Sequence, residues 1–377
     1  MKRPDKPINN ISRRRFLGNT AAVAALAMVP SAISCKNTTT PAAAPVSVEG
    51  GKPDSKFGGV QIGAITYSWR SMPGGVENII KYCTEAGISS IELMSGDLEE
   101  YLGAPKNPMM GFFTAARPPQ PASQAPAGSP GQGGQRPAGE RPAGPPQGGF
   151  RRPQLTPEQQ AAITKYNEDL KAWRTGLPMT KVEEARKLFN DAGINVHIVK
   201  FSPARWSDEE IDYAFNAAKA MGAMGVTDEL SEEAVKRLAP FAEKHGMYAI
   251  FHNHMQFATE GFSYDPFMAV SPSVMFNFDA GHFFGSTGIH PNTILEKYYE
   301  RIVSIHLKDK TGPKTDPPNE NQVWGQGEMP MEDVLDLIKS RKWPIYCDIE
   351  LEYDVKPWST AVRETRTCVH YARQILI

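Results

Sequence analysis

The sequence predicts an α/β protein: a closed (β/α)8 TIM barrel with a disordered Gly/Pro-rich insertion. Three observations lead there. Eight short apolar segments of strand length alternate with helical segments, a rhythm that implies parallel strands joined by crossover helices. With residues 1–57 and a low-complexity stretch at 111–153 set aside, about 277 of the 377 residues remain, close to the roughly 250 that such a barrel takes. No Gly-rich phosphate loop follows the first strand, which argues against a doubly wound open sheet.

The elements follow in order. Val60–Tyr67 reads as the first strand and Gly75–Ala86 as a helix. Ser90–Met94 is the second strand. The stretch 111–153 then holds 9 Gly and 10 Pro, too little apolar surface to offset chain entropy, and is expected to be a disordered surface insertion. Thr156–Thr175 opens with a Thr-Pro-Glu-Gln helix start, and Thr180–Ala192 is a second helix. Strands at Asn195–Phe201 and Gly225–Glu229 are followed by helices Asp208–Met221 and Glu232–His245. Met247–His254 and Val274–Asp279 are strands, and His290–Tyr299 is helical. Ile302–Lys308 and Ile345–Glu350 complete the strands, with helices Met331–Arg341 and Ser359–Ile375.

The N-terminus reads as an export signal. Ser12-Arg13-Arg14-Arg15-Phe16-Leu17 precedes an apolar run from Ala21 to Val29, the pattern of a twin-arginine leader. That run is too short to span about 30 Å of hydrocarbon. Ala32-Ile33-Ser34-Cys35 resembles a lipobox, with Cys35 as the lipidated residue, although Ala32 departs from the usual Leu, Val or Ile. The expected organisation is a signal at 1–35, a Thr/Pro/Ala-rich tether at 36–57 and the barrel at 58–377. This implies a periplasmic or cell-envelope protein, touching the membrane only through a lipid on Cys35.

Charge and cysteine content exclude other classes. Lys plus Arg number 41 against 42 Asp plus Glu, so no basic surplus attracts a nucleic acid. Four widely spaced cysteines without a C-x-x-C offer neither a disulfide scaffold nor a cysteine zinc site. Cys83 and Cys347 read as buried thiols.

In such barrels the chemistry lies at the carboxyl ends of the strands. Strand 5 ends Phe251-His252-Asn253-His254, strand 6 Phe278-Asp279-Ala280-Gly281-His282, strand 7 His306-Leu307-Lys308-Asp309 and strand 8 Asp348-Ile349-Glu350-Leu351-Glu352. Side chains alternate along a strand, so His306 shares a face with Lys308, His252 with His254, and Asp348 with Glu350 and Glu352. Four adjacent strands thus deliver ionisable groups to one rim. Mixed imidazole and carboxylate donors suit one divalent ion such as Mn²⁺, Co²⁺, Zn²⁺ or Fe²⁺. Such an ion holds adjacent sugar oxygens and eases removal of a proton beside a carbonyl, with a carboxylate as base. Tyr67, Trp69 and Trp324 offer ring faces to a sugar, or serve only as rim packing.

From residue 60 to 377, apart from the insertion, the chain resembles the xylose isomerase-like barrels, grouped with sugar isomerases/epimerases and endonuclease IV. The carriers are I-G-A-I-T-Y-S at 62–68, I-E-L-M at 91–94, A-G-I-N-V at 192–196, F-H-N-H at 251–254, F-D-A-G-H at 278–282, I-H-L-K-D at 305–309, W-G-Q-G-E at 324–328 and I-E-L-E at 349–352. The resemblance implies metal ligands on strands 5 to 8. Asp279 and His306 match the strand 6 and 7 ligands, and Glu350 matches the strand 8 ligand that doubles as acid/base. His282 matches a residue that contacts substrate or, in the nuclease branch, a further metal. His252 stands where many members have Glu, so His252 or His254 could ligate the metal or act as base, and Glu229 could supply the missing carboxylate. Lys308 could polarise a carbonyl or balance an oxyanion.

The resemblance implies a sugar isomerase, epimerase or keto-sugar lyase with a small carbohydrate substrate. A non-catalytic sugar-binding lipoprotein is the alternative from another class. An endonuclease IV-like phosphodiesterase is disfavoured, because segment 319–324 lacks the extra His ligands of that branch.

Overall fold

The computed structural model describes residues 51–108 and 155–377. The leader at 1–35, Cys35, most of the tether and the insertion at 111–153 lie outside the described residues. Eight parallel strands form the closed sheet: β1 (Val60–Ile65), β2 (Ser90–Met94), β3 (Asn195–Lys200), β4 (Gly225–Glu229), β5 (Tyr248–His252), β6 (Val274–Asp279), β7 (Ile302–Leu307) and β8 (Tyr346–Ile349). Each strand pairs with the next in sequence. β8 returns to β1 through Cys347↔Ile62, which closes the (β/α)8 barrel. Strands covered on both faces read as apolar runs, and every residue of Val274–Asp279 is buried.

The helices are α1 (Val76–Ala86), α2 (Ser95–Tyr101), α3 (Pro157–Gly176), α4 (Met179–Asp191), α5 (Asp208–Met221), α6 (Glu232–His245), α7 (Asp265–Met268), α8 (Ala280–Thr287), α9 (Asn292–Tyr298), α10 (Met331–Arg341) and α11 (Ala361–Leu376). Their apolar faces pack on the outer face of the sheet in one large cluster. The barrel lumen holds a separate small plug of Ile198, Ile250, Met275 and Val303. Above it the inward positions are polar.

Several boundaries differ from expectation, each for a local reason. β1 stops at Ile65, because Thr66–Trp69 turns into a 3-10 helix. Ser68 there donates to Ile349 O and accepts from Leu351 N, which ties the turn to β8. β5 ends at His252, so Asn253 and His254 lie in the following loop. The expected common strand face of His252 and His254 is therefore absent. Helices α2, α7 and α8 were not foreseen. Cys83, Cys347 and Cys368 are all buried free thiols.

Residues 52–57, expected as the end of the tether, close the barrel floor instead. Lys56 and Phe57 pair antiparallel with Gln61 and Val60. Gly58 and Gly59 make the turn, both at positive φ (54° and 89°), as a two-residue hairpin of primed type demands. Ser55, fully buried, donates to Ile62 O at 2.6 Å and receives Ser89 N at 2.9 Å.

Helix α3 has a weak apolar face and docks through Arg174. Its guanidinium donates to both Glu99 oxygens of α2 (2.8 and 3.1 Å) and to Glu210 of α5 (3.1 Å), and lies 3.6 Å over the Trp206 ring. Breaking a buried pair by removing one partner costs about 3–5 kcal/mol. Arg174→Ala should lose that much in denaturant unfolding and speed amide exchange across α3. A loss under ~1 kcal/mol, the value of a surface pair, would show that α3 docks by other contacts.

Candidate functional site

The carboxyl ends of β5 to β8 converge on one buried point. Asp279 ends β6 and caps α8, its Oδ1 accepting from His282 N at 2.7 Å. The cap fixes the carboxylate, and Oδ2 turns inward. Lys308, the first residue after β7, places Nζ 2.7 Å from Asp279 Oδ2, 2.6 Å from Glu350 Oε2 and 3.1 Å from Glu352 Oε2. His306 contacts Glu350 Oε2 through Nδ1 and Glu92 Oε2 through Nε2, both at 2.8 Å. His252 Nε2 lies 3.6 Å from Asp279 Oδ2, while its Nδ1 is buried without a hydrogen bond. One donor atom each from His252, Asp279, His306 and Glu350 fall within 4.8 Å of one another.

Two neighbouring sequences make this geometry possible. In D-A-G-H, Gly281 lets the first turn of α8 press on Lys308; a Cβ there would sit 2.1 Å from Lys308 Cγ and 2.6 Å from Lys308 O. In W-G-Q-G-E, Gly325 and Gly327 donate to Asp309 Oδ2 at 2.8 and 2.9 Å, and Met329 N donates to Oδ1. That motif is a backbone cradle for Asp309. Lys308 and Asp309 are thus both buried rather than a solvated loop pair.

Environment sets each charge. Burial pushes the His252 imidazole well below its ordinary value, and the positive charges of His306 and Lys200 add to this. Burial would do the same to His306, but Glu350 and Glu92 hold its pKa well above the ordinary value. Burial opposes ionisation of Glu350, yet Lys308 and His306 keep its pKa well below the carboxylate range. Lys308 is buried, but Asp279, Glu350 and Glu352 raise its pKa further and keep it an ammonium.

Other expected residues lie around this centre. His282 Nε2 is 3.8 Å from Asp279 Oδ2 and 3.5 Å from Glu352 Oε2. Glu229 and His254 form a half-exposed pair at 2.8 Å, with Lys200 2.7 Å from Glu229. The hydrogen bond to Glu229 raises the His254 pKa, and Glu229 is held down at about 2 despite burial. The His254 ring stands 4.9 Å from that of His252 and 5.1 Å from that of His282. A group of Glu229, His252 and His254 also has metal-ligand spacing.

Tyr67 lines a cavity of about 580 Å³ with Ser68, Arg70, Leu351 and Tyr353. Trp69 is buried and packs on Tyr82. Trp324 is only 7% exposed and packs edge-on against Tyr371, so it offers almost no ring face to a sugar. Of the two alternatives for Trp69 and Trp324, sugar platform or packing, their burial favours packing.

Sequence reasoning missed a lower layer. Glu92 of β2 is fully buried and accepts from Asn277 Nδ2 at 2.7 Å as well as contacting His306. Asp348 accepts from His197 Nε2 (2.9 Å) and Ser304 Oγ (2.6 Å), and His197 Nδ1 lies 2.8 Å from Ser90 Oγ. The signal was present: Glu92 and His197 interrupt apolar strands at inward positions. Asn253 was also passed over. It accepts from Asp279 N and Tyr264 OH, tying the β5 loop to β6.

The closed parallel sheet and the cluster at its carboxyl rim define a barrel enzyme architecture, with ionisable groups where such barrels carry their chemistry. The chain belongs to the xylose isomerase-like TIM barrel family, whose sequence model matches residues 168–369. An inosose dehydratase of Histophilus somni (strain 129Pt) is 30% identical over 147 residues, 36% of this chain and 47% of that protein. An inosose dehydratase of Glaesserella parasuis serovar 5 (strain SH0165) is 32% identical over 143 residues, 35% and 46% of the two chains. The chain spans about half the length of the curated relatives it matches. A xylose isomerase domain protein from Alicyclobacillus acidocaldarius has a TM-score of 0.50 at 12% identity, covering 84% of this chain and 98% of that one, a likeness of fold alone.

Gly281→Ala should cost about 1–3 kcal/mol through overpacking against Lys308, read by denaturant unfolding. A cost below ~0.5 kcal/mol, typical of a neutral surface change, would mean that the α8 turn yields freely.

Proposed function

We propose that this protein removes a proton beside the carbonyl of a keto-sugar or keto-cyclitol and eliminates water or another β-leaving group. Isomerisation and epimerisation share the first step. The observation that carries the reading is the convergence of His252, Asp279, His306, Glu350 and Lys308 at the barrel mouth. The name of the matched relatives, inosose dehydratase, supports a cyclic ketone and loss of water.

Two imidazoles and two carboxylates suit a divalent ion, in support of which the buried His252 Nδ1 has no hydrogen-bond partner; His306, now between Glu350 and Glu92, would release a ring proton to take part. His252, Asp279, His306 and Glu350 would hold it, and it would polarise the substrate carbonyl. The contacts of Glu350 with Lys308 and His306 fall on Oε2, which leaves Oε1 to take the C–H proton. Lys308 supplies an ammonium at the same rim, in reach of Glu352, that balances the negative charge developing on substrate oxygen. His254, its pKa raised by Glu229, donates a proton to the departing hydroxyl. The proton gained by Glu350 and the proton lost from His254 are then exchanged with water.

The test pairs metal analysis with turnover. Wild-type protein should carry about one divalent ion per chain and Asp279→Ala almost none. Glu350→Gln should lower turnover of a keto-cyclitol by at least ~10²-fold, the usual share of a general base. Full turnover in Glu350→Gln would remove the base assignment. Sugar binding without turnover in wild type would favour a binding protein.

Export by the twin-arginine route and lipidation at Cys35 are part of the same proposal, supported by S-R-R-R-F-L and the lipobox-like A-I-S-C. Mass spectrometry of the protein from its native envelope should find a diacylated N-terminal Cys35, and Cys35→Ala should release the chain from the membrane fraction. An unmodified, uncut N-terminus would contradict this.

A further inference from the structure

The atoms that Lys308 grips are Asp279 Oδ2 and Glu350 Oε2, at 2.7 and 2.6 Å. These two carboxylates belong to the four-residue group with metal-ligand spacing. A divalent ion bonds carboxylate oxygen at about 2.0–2.2 Å. An ion on these oxygens and an ammonium 2.6–2.7 Å from the same oxygens would stand only about 3–4 Å apart, with no room for screening water. In a buried site, like charges so close repel strongly. Both cannot hold the pair at once.

We propose that Lys308 is a built-in occupant of this site: its ammonium and a divalent ion are alternative partners of Asp279 and Glu350, and loading of the ion moves Lys308 onto Glu352. The inference rests on the ion-site reading of the preceding subsection. Glu352 is the outer station. It lies two residues beyond Glu350, its Oε2 is already 3.1 Å from Lys308 Nζ, and its side chain is 20% exposed where that of Asp279 is fully buried. His282 Nε2 stands 3.5 Å from the same carboxylate and marks the path towards the mouth. The stem of Lys308 runs close past Gly281, where there is no room for even a Cβ, so the movement is assigned to the last carbons and the ammonium. Two consequences follow. Without the ion, Lys308 neutralises two buried carboxylates that would otherwise repel each other. With the ion, the ammonium faces the open end, where a substrate oxygen arrives. The charge opposite the substrate is then in place only in loaded protein.

The experiment uses the full barrel, stripped with chelator and titrated with Mn²⁺ by calorimetry. Lys308→Met should bind Mn²⁺ at least ten-fold more tightly than wild type. Lys310→Met is the control for long-range charge. It removes a neighbouring buried ammonium that is bonded to Asn321, and should shift affinity far less. In parallel, amine acylation mapped by mass spectrometry should show Lys308 protected in stripped wild type and several-fold more reactive with Mn²⁺ bound. Equal or weaker Mn²⁺ affinity in Lys308→Met, or unchanged Lys308 reactivity while Mn²⁺ binds, overturns the exchange and leaves the ion site standing. Failure of both wild type and Lys308→Met to bind Mn²⁺, Co²⁺ or Zn²⁺ overturns the ion site and the exchange together. If Lys308→Met does not fold, the acylation measurement on the unaltered chain decides alone.

Discussion

Charge balance inside a closed barrel governs this structure. Among the described residues, the carboxylates of Glu92, Asp279, Asp348 and Glu350 are buried in the lumen or at its upper rim. An unpaired buried carboxylate is costly enough to prevent folding or to lose its charge. Each is therefore met by a cationic or imidazole group from another strand: Glu92 by His306, Asp279 and Glu350 by Lys308, Asp348 by His197. Nearly all of these contacts cross between strands, so they hold only in one register. A slip of one residue would turn each partner outward and strand the charges. The same pairing that makes the lumen tolerable also orients the groups to which the proposed chemistry is assigned.

The two layers of this lumen divide the work. At the bottom, Ser90, His197, Asp348 and Ser304 form a buried hydrogen-bonded chain. The upper layer opens to the mouth through His254, Glu229 and Glu352. Between them stands His306, joined downward to Glu92 and upward to Glu350. With Glu92 on one ring nitrogen and Glu350 on the other, the orientation of the His306 ring is fixed.

How far the sequence disclosed this depended on distance along the chain. The barrel was legible because short strand-length segments alternate with helical ones; β2, β4 and β6 begin and end at the residues expected from the sequence. The rim residues were legible because ionisable side chains at the ends of such runs stand out. Pairings across the lumen were not, since Glu92 and His306 are 214 residues apart and nothing local announces their contact. Helix α8 escaped notice because Ala280–Thr287 contains two glycines and weak helix formers; it stands on the Asp279 cap and on packing instead. Trp324 misled for the opposite reason. An aromatic in a loop looks available until the helix behind it, here α11 with Tyr371, is known.

The hairpin at residues 54–61 has a practical meaning for handling the molecule. Ser55 within it and Lys52 just ahead of it tie the start of the described chain to the amino-terminal end of the barrel, among Ser89, Asn190 and Gly193. The groups at the carboxyl rim open on the opposite end. A bead, electrode or fused partner joined ahead of residue 51 by a flexible spacer would leave the mouth facing solution. Immobilisation from that end should therefore preserve access for diffusing molecules, whereas coupling through loops near Trp358 would crowd it.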